Sequence, residues 1–86
     1  MRPRREVVDS ILAFWAKVER APGDGCWEWT GSRDLTGYGI VRLDGQLHKA
    51  HRVAWLLANG RQPGLRLRHL CGNAACVRPG HLGSRA

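Results

Sequence analysis

The segment His69-Leu-Cys71-Gly-Asn-Ala-Ala-Cys76-Val-Arg-Pro-Gly-His81-Leu82 concentrates two cysteines, two histidines and tight-turn residues in one short stretch. The spacing Cys71-x4-Cys76-x4-His81 sets three soft or borderline ligands on successive tight turns, and the remaining cysteine, Cys26, supplies a fourth. A Cys3His set of this kind closes a structural zinc site. His69 lies two residues before Cys71, so on an extended strand both side chains share a face, and His69 is the alternative to His81 as the fourth ligand. The even x4 rhythm favours His81, because it lets two turns wrap one ion. A Cys71–Cys76 disulfide is the competing chemistry. Three cysteines cannot all pair, however, and no apolar secretory segment opens the chain, so a reduced, intracellular setting is expected.

The elements that must position these residues belong to a chain of 86 residues, which is one domain. A domain this small buries only about 60% of its unfolded surface and needs a staple. A metal tying Cys26 to the C-terminal knuckle supplies one, so metal binding and folding are expected to be coupled. Fourteen Lys and Arg against seven Asp and Glu give a net charge of +7, which points to an anionic partner, nucleic acid before all others. The longest apolar run, Val53 to Ala58, is far too short to span a bilayer, which makes membrane association the weaker expectation.

Read along the chain, a basic arm with Arg2, Arg4 and Arg5 precedes Val7, Val8, Ile11, Phe14, Trp15 and Val18 at helical spacing, which predicts an amphipathic helix over residues 5–20. The breaker Ala21-Pro-Gly-Asp-Gly25 leads into Cys26-Trp-Glu-Trp-Thr30, an alternating strand with Trp27 and Trp29 facing the core. Residues 31–37 read as a loop, Tyr38 to Leu43 as a second strand, Asp44-Gly45 as a hairpin turn and Gln46 to Lys49 as a third strand. From Ala50 the period becomes helical, and Asn59-Gly60 followed by Pro63 stops it. Leu65, Leu67 and His69 then alternate as a strand into the knuckle, with Val77 opening the return stretch.

Cys26-Trp-Glu-Trp-Thr-Gly31, Gly37-Tyr-Gly39, Ala50-His-Arg52-Val-Ala-Trp55 and His69-Leu-Cys71 through Cys76-x-x-Pro79-Gly-His81-Leu82 resemble HNH endonucleases, especially the phage-type and His-Cys-box homing enzymes. The resemblance covers residues 26–82 and is most specific in its last segment. It implies an α+β fold: a small zinc-stabilised ββα-metal domain over 26–86 that includes the β-meander and is a single folding unit, preceded by the basic arm and N-terminal helix over 1–25. It also implies that His69 is the general base that takes a proton from the water attacking a DNA phosphate. An imidazole with an ordinary pKa near neutrality suits that task. Cys26, Cys71, Cys76 and His81 fall on the family's structural zinc positions.

The resemblance further implies a catalytic divalent cation, usually magnesium, that neutralises charge on the phosphate. Here the sequence departs from the pattern. Relatives place an Asn or His ligand on a helix after the knuckle, which the sequence, stopping at Ala86, leaves truncated. Arg68 stands where some relatives carry an Asp ligand, and Arg78 where the family commonly shows Asn. Arg33 and Arg42 are candidates to stabilise charge on the phosphate, Arg52 to clamp a phosphate at the start of the second helix, and Arg68 and Arg78 complete the candidate DNA contacts. The expected partner is double-stranded DNA, with a homodimer or larger assembly where both strands are cut. The expected localisation is the cytoplasm of a bacterial or phage-infected cell. Two functions remain open: an HNH endonuclease, or a DNA-binding module of the same fold without hydrolysis. An RNA-binding knuckle is disfavoured, because the aromatic residues fall on core positions.

Overall fold

The computed structural model describes residues 5–43 and 45–85; Arg2 and Arg4 of the basic arm and Asp44 of the expected turn lie outside the described residues. Ile11, Phe14 and Trp15, spaced at i, i+3 and i+4, turn one face of helix α1 (Arg5–Ala16) toward the core, where Phe14 is buried. The helix ends at Ala16 rather than continuing to residue 20. Thr30 explains the stop, because its amide and hydroxyl donate to the Lys17 carbonyl at 2.7 and 2.8 Å, and a longer helix would have needed that carbonyl itself. Val18–Arg20 accordingly becomes strand β1, antiparallel to β2 (Trp27–Trp29), with Val18 opposite Trp29 and Arg20 opposite Trp27. Val18 satisfies a helical period and a strand face equally, which is why the pattern extends the helix too far.

Strands β3 (Ile40–Leu43) and β4 (Gln46–Lys49) form the expected hairpin, with Ile40 opposite Lys49. Helix α2 (Ala50–Asn59) follows at once and stops where the sequence says it should. Gly60 takes φ 71, a left-handed cap open to glycine, and its amide reaches the Leu56 carbonyl at 2.8 Å. Strand β5 (Arg66–His69) pairs antiparallel with β6 (Leu82–Arg85), placing His69 opposite Leu82, and a 3₁₀ turn at Pro79–His81 precedes β6. Among the described residues the strands thus pair two by two into three small antiparallel sheets, where the sequence suggested a β-meander. The α+β class stands, with two α-helices among the described residues.

The return stretch begins at Leu82, not at Val77. Val77 instead donates to the Trp27 carbonyl at 2.8 Å while Trp29 donates to Ala75 at 2.9 Å, so residues 75–77 lie along β2. The main core gathers Phe14, Trp29, Ala50, Val53, Ala54 and Val77, with Trp15, Trp27 and Leu57 packed on it, and a second cluster joins Trp55, Leu67 and Leu82. Trp29 is fully buried as expected, its indole N–H donating to the Ser32 carbonyl at 3.0 Å. Gly31 and Gly39 flank this ring so closely that a Cβ would fall 2.8 Å from its Nε1 and 2.6 Å from its Cδ1 respectively. Those two glycines in the recognised motifs are therefore packing requirements. Among the described residues, no helix is long and apolar enough to cross a membrane.

Candidate metal centre and cationic cleft

The pairing of residues 75–77 with β2 carries Cys76 to the strand that Cys26 precedes, bringing together two cysteines far apart in the chain. A turn closed by the Gly72 amide on the His69 carbonyl at 3.2 Å presents Cys71. The Leu70 amide then donates to the His81 carbonyl at 2.8 Å and holds the far end of the knuckle. The result is that Cys26, Cys71, Cys76 and His81 place their ligand atoms within 4.8 Å of one another. Both Cys26 Sγ and Cys76 Sγ stand 3.6 Å from His81 Nδ1. Tetrahedral zinc, with its ordinary bond lengths to sulfur and nitrogen, separates such a pair by about 3.6 Å, so these two pairs match that ion's geometry and the Cys3His chemistry suits it. The alternative fourth ligand, His69, is not in the cluster.

Burial pushes the Cys76 thiol up to about 12 in the metal-free chain. A bound cation inverts that preference, since only the thiolate ligates, and metal binding therefore releases protons. No disulfide joins the three cysteines.

His69 faces a different space. Its Nε2 lies 2.8 Å from the Cys76 carbonyl oxygen, which can only accept, so Nε2 carries the proton and Nδ1 keeps its lone pair. The ring is half-buried, and desolvation holds its pKa below the usual histidine value against the opposing pull of that carbonyl. It opens onto a cleft of about 560 Å³ lined by Tyr38, Lys49, His51, Arg52, Arg66 and Arg68, among others, with no carboxylate in the lining. Arg52, Arg66 and Arg68, beside a Lys49 already paired with Asp34, give this lining a positive potential that favours anions.

His51, to which the sequence alone assigns no role, also belongs to this cleft. It is buried at 6% exposure, its ring centroid 4.5 Å from that of His69, with Tyr38 5.5 Å from both. Desolvation, reinforced by the charges near it, lowers its pKa to about 4, so it is neutral at pH 7. Its Nδ1 has no hydrogen-bond partner within the described chain. A signal existed: His51 lies four residues before Trp55, on the helix face that is buried. Lys49 also lines the cleft, paired with Asp34, whose carboxyl that ammonium holds well below the usual range.

The five candidate arginines separate. Arg52 and Arg68 line the cleft; Arg52 also donates to the Gly64 carbonyl at 3.1 Å, while Arg68 is exposed. Arg33 donates to the Trp29 carbonyl through Nε and Nη2 at 3.2 and 2.8 Å, and Arg42 to Gly45 at 3.3 Å. Arg78 donates to the Gly23 and Gly25 carbonyls at 2.7 and 2.8 Å, buttressing the loop before Cys26. The last three lie outside the cleft lining.

A Cys3His cluster beside a strand-end histidine in a cation-lined cleft is consistent with a small HNH-like zinc domain. Residues 48–83 match the family model described as HNH endonuclease. The chain is also similar to Protein 2.8 of Escherichia phage T7, 35% identical over 65 residues, which is 73% of this chain and 44% of the phage protein. The chain thus spans less than half the length of this curated relative. No solved structure matches it.

Proposed function

We propose that this chain is an HNH-type nuclease domain that hydrolyses DNA phosphodiester bonds with His69 as general base, inside a fold held by structural zinc. One observation carries the reading: the Cys76 carbonyl fixes the His69 tautomer, leaving Nδ1 as a proton acceptor in a cleft lined by Lys49, Arg52, Arg66 and Arg68. Those cations hold the phosphate and favour the negative charge that grows on it, while Nδ1 takes the proton of the attacking water. The matched family and the phage origin of the relative support a DNA substrate in an intracellular setting.

A hard divalent cation prefers carboxylate and other oxygen donors. The cleft lining holds no carboxylate, with Arg68 where an Asp would help, so no step here is assigned to magnesium. That same lack favours the second reading, a DNA-binding module without hydrolysis. Plasmid nicking by the zinc-loaded chain, with and without added magnesium, separates the two. Nicking supports the nuclease; intact plasmid beside a salt-dependent gel shift supports the binding module.

A further inference from the structure

Leu35 is fully exposed at the tip of the loop between β2 and β3. One bare leucine is ordinary on a protein surface. Leu35 differs because its loop cannot fold it away. The Asp34 carboxylate accepts from the Thr36 amide at 2.9 Å, the Thr36 hydroxyl at 2.7 Å and the Tyr38 amide at 3.0 Å, and pairs with Lys49. The Asp34 amide and carbonyl are tied to Tyr38 and Gly37, at 2.9 and 3.0 Å. The leucine is therefore held out in water by a fixed turn.

That turn stands on the rim of the cationic cleft. Tyr38 and Lys49, both bonded to Asp34, line the cleft, and so does Ala74, the neighbour of Gly37. A second bare leucine, Leu65 at 88% exposure, belongs to the same lining. A surface that joins cations, a single carboxylate already paired with Lys49, and projecting apolar posts fits a ligand that is anionic along its backbone and apolar between its bases. Duplex DNA has that chemistry once its groove is opened, and inserted leucines are among the side chains that open it.

We propose that Leu35 is a wedge that enters the groove of duplex DNA held in the cleft and kinks it. The proposal rests on the reading of the cleft as a DNA site. The test uses the full zinc-loaded chain carrying His69→Ala, to prevent cleavage, and a short duplex labelled at its two ends with a donor and an acceptor dye. Energy transfer should rise on saturation as the ends approach. Adding Leu35→Ser should abolish most of that rise and weaken binding by about tenfold, the worth of burying one leucine side chain, whereas Leu35→Phe should retain both. Because the side chain touches nothing in the free protein, the thermal melt of both variants should match the parent.

Saturable, salt-dependent binding with unchanged energy transfer would overturn the wedge while leaving the DNA site intact. So would a Leu35→Ser variant that bends the duplex as the parent does, or one whose only effect is to split a dimer in sedimentation, which would assign Leu35 to a second copy. No binding to duplex at any salt concentration would defeat the DNA reading itself, and the wedge with it.

Discussion

His69 Nε2 lies 2.8 Å from the carbonyl oxygen of Cys76, so the imidazole that faces the cleft is fastened to a member of the Cys3His cluster. The cluster and the cleft are consequently one mechanical unit. Stripping zinc with a chelator should abolish cooperative thermal unfolding and cleft function together, and re-adding one zinc per chain should restore both. Circular dichroism melts with metal analysis check this; a metal-free chain melting at the same temperature would contradict it.

Much of this site was legible in the sequence. The x4 spacing and the one remaining cysteine pointed to the four residues that the fold gathers into a cluster, and the Asn59-Gly60 stop placed the end of α2 where it is found. What was not legible depends on distant pairing. Nothing in the local pattern around Cys76 announces that residues 75–77 run along β2, yet that contact is what brings Cys26 to the knuckle. Val18 failed for the opposite reason: its apolar character suits a helix and a strand alike, and Thr30, twelve residues on, decides between them. The arginines illustrate a third limit, since charge alone does not say which guanidinium is already committed to a carbonyl.

Arg78 and Arg68 should therefore behave oppositely. Arg78→Ala removes two bonds to backbone carbonyls and should cost about 1–3 kcal/mol of stability with little change in DNA affinity. Arg68→Ala, exposed on the cleft, should leave stability within about 0.5 kcal/mol while weakening duplex binding and reducing the salt slope by about 1. Denaturant melts and salt-dependent titrations of both variants distinguish these outcomes.

His51 should make the fold acid-sensitive. Its pKa falls from 6.5 to about 4 on folding, so the unfolded chain binds the extra proton between those values. The associated stability is fully present above pH 6.5, is lost as pH falls toward 4, and amounts to about 3 kcal/mol across that window. His51→Phe should remove this component. The stability difference between His51→Phe and parent should shift in favour of the variant as pH is lowered from 7 to 4.5; a difference constant with pH would refute the assignment.

Gly39→Ala should destabilise the chain by about 1–3 kcal/mol, because the added methyl meets the immobile Trp29 ring. Gly60→Ala at the α2 cap has open space around it but a φ of 71, so backbone strain alone should cost about 1–2 kcal/mol. A Gly39→Ala loss below about 1 kcal/mol would mean that Trp29 yields.

The role of His69 is tested most directly by chemical rescue. In a supercoiled-plasmid nicking assay with magnesium, His69→Ala at matched zinc content should lose about 10²–10⁴-fold in rate. Added imidazole should restore part of that loss in the variant and leave the parent unchanged. Nicking that survives His69→Ala undiminished would contradict the account, because the proton would then be leaving by another group.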